Sequence, residues 1–90
     1  MTDYQPVDCR VYSGYELAIL RRRRLRLTWR DDPDLTRIDT VRPLDLETRG
    51  GEEFLLIEDS LGRRQSIRLD RIARATDAGG PPVEDIPADP

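Results

Sequence analysis

"YELAILRRRRLRLTW", residues 15–29, changes its period twice, and that change decides the architecture. Tyr15, Ala18 and Ile19 have the spacing of one helical face. From Leu25 the period becomes two. Leu25, Leu27 and Trp29 fall on one side and Arg26, Thr28 and Arg30 on the other, the pattern of a half-buried strand. Between the two elements stands Arg21-Arg22-Arg23-Arg24, which reads either as a solvated seam or as an anionic contact.

Upstream, "SGYE" at 13–16 has the form of a capping box, Ser13 accepting from the amide three residues on and Glu16 reaching back to Ser13. It predicts a helix over about Gly14 to Arg22, with Val11 one turn earlier on the same face and arginines in the last turn complementing the helix dipole. Pro6 biases Gln5 away from helix, so residues 1–8 are expected to be extended.

Downstream, "RDDPD" at 30–34 is a turn and Leu35 to Val41 a second, more polar strand. "RPLDLETRGGE" at 42–52 reads as a loop with a bend or short strand around Leu44 to Leu46. "EFLLIE" at 53–58 is the strongest strand and is expected to be central. "DSLG" turns it into "RRQSIRL", where Ile67 and Leu69 alternate with Ser66 and Arg68, and "DRIARA" at 70–75 supplies a short last strand. Residues 76–90 hold four of the seven prolines and no apolar period, so they are expected to be a disordered acidic Pro/Gly-rich tail to a domain spanning 1–75.

The expectation is therefore a mainly β (α+β) domain, with one N-terminal helix followed by five short antiparallel strands. These curve into a small, partly open barrel with the helix across one mouth. SH3-like, OB-like and Sm-like barrels all satisfy this description.

Composition narrows the chemistry. Ninety residues with one Trp and one Phe allow a single thin core. The chain has no His, which removes the usual general base at neutral pH and the commonest metal ligand. One cysteine, Cys9, closes no intrachain disulfide and with no His offers no zinc set. It is expected to be a small buried apolar residue in a reducing compartment. The glycines form neither a phosphate loop nor a dinucleotide fingerprint. Neighbouring carboxylates such as Glu52-Glu53 and Glu58-Asp59 are expected to be solvated faces in a chain with 18 acids. No catalysis, cofactor, metal or small-molecule substrate is expected. The longest apolar runs, "LAIL" and "FLLI", are too short to span a bilayer, and the N-terminus has no apolar core of a signal peptide, so a cytoplasmic protein is expected.

Every basic residue is Arg, 15 in all, and the formal net charge is −3. Four acids, Asp77, Glu84, Asp85 and Asp89, lie in the last sixteen positions, which carry no Arg; without them acids and arginines are close to balance. Such a mixed-sign surface disfavours direct nucleic-acid binding by a uniformly basic face.

Six pieces in order resemble the Rho-binding antiterminator family, the Rof-like proteins. They are "YQPVDC" at 4–9, Tyr12 followed by "YELA" at 15–18, "LRLTW" at 25–29, "LDLETR" at 44–49, "EEFLLIE" at 52–58 and "IRLDRI" at 67–72. The resemblance implies an Sm-like fold, an N-terminal helix on a strongly bent five-stranded sheet. It also implies a non-catalytic bacterial inhibitor that docks on the RNA-binding domain of the transcription termination factor Rho, a hexamer, and blocks its primary site for C-rich single-stranded RNA.

Carried over by position, the partner-binding candidates are Tyr12, Ser13 and Glu16, with Asp8 beside them and Asp45 in the "LDL" loop. Each also has a structural reading: Glu16 in the capping box, Tyr12 in packing, Asp8 in the turn after Pro6, and Asp45 on local backbone donors. Ser13 stands where the family often has Asp, and Arg10 and Val11 where acids are common, so the helix start is less acidic than the pattern. The competing reading is an Sm-like RNA-binding module using Arg21, Arg22, Arg23 and Arg24 with Arg26 or Arg30. A third is an adaptor for another protein partner. RNA binding calls for exposed aromatic platforms among the basic groups. Trp29 and Phe54 are both expected to be committed to the sheet.

Overall fold

The computed structural model describes residues 4–32 and 34–79. Its elements run α1 (Cys9–Leu20), β1 (Arg24–Asp32), β2 (Leu35–Arg49), β3 (Glu52–Glu58), β4 (Arg64–Arg68), a 3-10 turn (Leu69–Arg71) and β5 (Ile72–Gly79). Among the described residues this is a mostly β, α+β arrangement of one α-helix and one five-stranded antiparallel sheet.

The helix starts one and a half turns earlier than the capping box predicts. Asp8 is the N-cap: its backbone is extended and its Oδ1 accepts from the Arg10 amide at 2.7 Å. Val7 and Tyr12, the positions before the cap and four residues after it, both pack against the core, the spacing of a hydrophobic staple. Asp8 takes the cap because a start there lets Tyr12, Tyr15 and Ala18 share the buried face. Ser13 is left exposed inside the helix. Val11, expected on the buried face, is 45% exposed, and Cys9, expected to be buried, is exposed at the first helical position.

The helix also ends sooner than predicted, at Leu20, with no basic residue in its last turn. Arg21 is the C-cap. Arg22 adopts a left-handed conformation (φ 57°), and the Arg22 and Arg23 amides donate to the Ile19 and Ala18 carbonyls at 3.2 and 2.9 Å. This is a Schellman closure with arginine where glycine is usual.

β1 matches its predicted alternation, and Leu25, Leu27 and Trp29 are buried. β2 is a single 15-residue strand, where a shorter strand and a loop were expected. The register slips between Pro43 and Asp45, opposite Ile57 and Leu56, so Leu44 is an extra residue. Proline is tolerated at such a bulge because the ladder is already interrupted there. The inserted residue also changes the parity of the strand. Val41 and Pro43 are buried before it; after it Leu46, and not Asp45, turns to the core. Gly50 and Gly51, with φ of 58° and 80°, close the β2–β3 hairpin as a two-residue turn that needs positive φ at both positions.

The strand order is β4-β3-β2-β1-β5, so β2 occupies the middle and β3 lies beside it. β4 and β5 are at opposite ends although only Leu69–Arg71 separates them in the chain. Four residue steps span at most roughly 14 Å, so the sheet must curl until the end of β4 lies near the start of β5. Among the described residues the two edges are not paired, so the sheet is curled but open, where a small, partly open barrel was expected. The 3-10 turn fills that corner, with Leu69 buried, and α1 packs across β2. Leu27, Leu55 and Ile57 are fully buried at the centre of the core, each contributing roughly 1.5–3 kcal/mol. β5 begins at Ile72 and runs to Gly79, so residues 76–79 belong to the sheet and not to a tail. The tail reading for 80–90 lies outside the described residues.

Candidate functional site

Tyr12 projects from the second turn of α1, half-buried against the core. Its hydroxyl pKa is raised, first by burial and then by the charges of Glu53, Glu16 and Asp45. Three elements thus bring carboxylates around one phenol: Glu16 from the next turn of α1, Asp45 from the β2 bulge and Glu53 from β3. The parity change at Leu44 is what leaves Asp45 exposed, with its Oδ1 accepting from the Leu46 amide at 2.8 Å.

A second tyrosine joins them. The Tyr4 hydroxyl donates to Glu53 Oε1 at 3.0 Å, and burial followed by that hydrogen bond pushes its pKa up to about 12. The Tyr4 ring lies under the Arg68 guanidinium, 5.8 Å from its centroid. Arg68 forks onto Asp70, Nε to Oδ1 at 2.7 Å and Nη2 to Oδ2 at 2.8 Å, and approaches Glu52 at 3.6 Å. Asp70 also accepts from the Gln5 amide at 3.0 Å, which latches the N-terminal segment to the 3-10 turn. Burial alone would raise the Asp70 pKa, but the Arg68 and Gln5 hydrogen bonds and the nearby guanidinium charges bring it below the usual carboxylate value.

Of the residues named from the resemblance, Glu16 and Asp45 therefore lie near enough to Tyr12 for their charges to act on it. Ser13 is exposed on the same helix. Asp8 is occupied as the N-cap and by Arg10 at 3.5 Å, a local role. Glu53 and Tyr4 were missed. Glu53 had a signal: strand alternation puts it on the face of Leu55 and Ile57, the core side, at the end of β3. This face offers carboxylate acceptors to a basic partner surface. Among the described residues no group of His, Cys, Asp and Glu is placed to hold a metal ion, and no helix is long and apolar enough to cross a membrane.

The four arginines are largely committed to the fold. Arg21 and Arg22 close the helix by their backbones. Arg23 turns to β5, Nη2 to Asp77 Oδ2 at 2.6 Å and Nε to Asp77 Oδ1 at 3.2 Å. Arg24 opens β1 opposite Gly79. Trp29 is only 3% exposed, and the Phe54 ring carries the Arg49 guanidinium 4.2 Å from its centroid.

The fold and this face define a small α+β domain with an acidic, tyrosine-bearing surface. No protein-family model and no curated protein matches the chain. Among solved structures it is similar to the proteasome accessory factor B/C (PafBC) of Arthrobacter aurescens, with a TM-score of 0.72 and 23% identity over 86% of this chain. The chain spans 13% of that protein's length, and the likeness is one of fold.

Proposed function

We propose that this chain is a non-catalytic inhibitor of Rho-dependent termination, a Rof-like cytoplasmic protein of bacteria with the curled sheet as an open Sm-like form. It docks on the RNA-binding domain of the Rho hexamer. The observation that carries the reading is the convergence of Glu16, Asp45 and Glu53 on Tyr12 from α1, β2 and β3. A surface that must compete with RNA for a basic groove needs acceptors where phosphates would sit. These carboxylates supply them on a rigid frame. The in-order pieces of sequence at 4–9, 15–18, 25–29, 44–49, 52–58 and 67–72 supply the family reading. The arginine run supports the alternative, an RNA-binding module, less well, because the Arg23 guanidinium is tied to Asp77 and the backbones of Arg21 and Arg22 close the helix.

Calorimetric titration of the protein into Rho hexamer tests the docking. Binding that falls at least tenfold with Glu16→Lys and with Asp45→Lys, while Arg21→Ser has no effect, supports it. Failure of the unmodified protein to bind Rho refutes it.

A further inference from the structure

The flank of α1 turned away from Tyr12 and Glu16 overlooks an edge of the sheet. Among the described residues β5 pairs with β1 alone, so its outer side presents backbone N–H and C=O groups without a ladder partner. Extra residues at Ala73 and Ala78 interrupt the pairing near both ends, and Arg74 to Asp77 run regular between them. α1 packs across β2, and the inner side of β5 is left open. Ala75 lies opposite the fully buried Leu27, yet Ala75 is itself exposed. Two hollows of about 390 and 520 Å3 lie here, one towards Val11 and Ile72, the other towards Arg21 and Asp77. Both are lined by Gly14 and Leu25, so they form one groove between helix and edge.

Gly14 is the informative residue. Glycine weakens a helix interior relative to alanine, and neither usual reason for one applies here. Its φ is not positive, and among the described residues a Cβ would meet nothing within 4 Å. What the missing side chain does is keep the groove open where its two halves join. The wall is otherwise apolar, with Val11 and Leu17 exposed on the helix side and Ile72 and Ala75 on the strand side. Its charge is basic. Asp77 is taken by Arg23 at 2.6 Å, whereas Arg21 and Arg74 are exposed and, among the described residues, lie in no ion pair. Each feature selects one property of a ligand. A free strand edge takes an extended main chain. A groove beside it takes the side chains on one face of that chain. Guanidinium groups without carboxylates take carboxylates.

We propose that the groove between α1 and β5 binds an extended acidic peptide of another protein, added to β5 as a further strand. Its apolar side chains enter the groove over Gly14 and Leu25. The alternate side chains are acidic and meet Arg74, which lies opposite Thr28 on the outer face of the sheet, and a carboxylate at the end of the groove meets Arg21. The inference does not rest on docking to Rho, whose proposed surface is the other flank of the helix.

A phage library of random peptides is selected on the intact protein, and the enriched peptides are titrated in fluorescein-labelled form by anisotropy. The expected result is enrichment of segments that alternate Val, Ile or Leu with Asp or Glu. Their dissociation constants are expected to rise about tenfold with Gly14→Leu, which fills the groove, and with Arg74→Ser, and to be unchanged by Arg30→Ser. Urea unfolding is expected to show Gly14→Leu at least as stable as the unmodified protein, since the position has room and leucine favours helix. Arg74→Ser, at an exposed position, keeps the test decisive if Gly14→Leu fails to fold. The proposal is overturned if no peptide is enriched, if the enriched peptides lack acids, or if they bind both variants as they bind the unmodified protein. Occupancy by this chain itself also overturns it. That would show as a dimer in analytical ultracentrifugation that Gly14→Leu dissolves, or as crosslinking of a photoreactive residue at position 17 to residues 80–90.

Discussion

Arg23 and Asp77 face each other in a two-pronged contact across 54 residues, the guanidinium Nη2 lying 2.6 Å from one carboxylate oxygen and Nε 3.2 Å from the other. The Asp77 carboxylate also accepts from the Gly79 amide at 2.9 Å. One of four consecutive arginines is thereby a fastener between the helix–strand junction and the last strand. The run serves the fold at its backbone as well, since the amides of Arg21, Arg22 and Arg23 all close the helix.

Arg22 carries a conformational cost in that closure. An L-residue with a side chain in the left-handed region is strained by roughly 1–2 kcal/mol, and glycine is not. Arg22→Gly is expected to stabilise the protein by about 0.5–1 kcal/mol after the added freedom of the unfolded chain is counted. Urea unfolding measures this; a destabilised variant would show that the Arg22 side chain contributes more than its backbone costs.

The two candidate N-caps separate cleanly by mutation. Asp8→Ala is expected to lose about 1 kcal/mol of stability, whereas Ser13→Ala, in an exposed helix interior, is expected to be neutral or slightly stabilising. Thermal unfolding of both variants by circular dichroism decides it. The reverse order would restore the capping box at Ser13.

Asp70 makes the fold acid-sensitive. Its pKa in the folded protein lies below the ordinary 3.8, because the Arg68 and Gln5 hydrogen bonds outweigh burial. Its contribution is therefore present above pH 3.8 and is lost as pH falls through the lower, folded value. Asp39, lowered by hydrogen bonds from Ser60 and Thr40 that outweigh its burial, adds a loss of the same sign. Asp70→Asn is expected to be less stable than the unmodified protein at neutral pH, with the gap closing below about pH 4. A gap independent of pH would remove Asp70 from the acid transition.

Tyr4 reports the geometry of the acidic face. Its pKa of about 12 owes to burial first and then to Glu53, so Glu53→Gln is expected to lower the Tyr4 midpoint and, through the lost charge alone, to lower that of Tyr12 less, while Tyr15, raised to about 12 by burial alone, stays in place. Ultraviolet titration of the three tyrosines in both proteins checks this: two midpoints that fall and one that stays support the geometry, and three unchanged midpoints contradict it.

Much of this architecture is readable along the chain, and the exceptions have physical causes. β1, β3 and β4 announce themselves because one face of each is buried, which forces a period of two. β2 is legible only over Leu35 to Val41; its second half reads as a loop because Pro43 imitates one and the extra Leu44 breaks the alternation, and it is a strand because it pairs with β3 after the first half has paired with β1. The helix start was misplaced because Asp8 and Ser13 are both good caps, and local chemistry cannot weigh the burial of Tyr12 that decides between them. For the site, Tyr12, Glu16 and Asp45 could be named one by one. Their proximity depends on the Leu44 bulge, and Glu53, whose face follows from the alternation of β3, is brought beside them by the register of β3 against β2.

The central claim, that the face around Tyr12 competes with RNA on Rho, is tested most directly by displacement. Labelled C-rich single-stranded RNA bound to the Rho hexamer is titrated with this protein and its variants. The account predicts full release of RNA by the unmodified protein and release weakened at least tenfold by Glu16→Lys or Asp45→Lys. Release that is unchanged in both variants, or RNA drawn off Rho by the protein itself and retained until Arg21 to Arg24 are replaced by Ser, would contradict it.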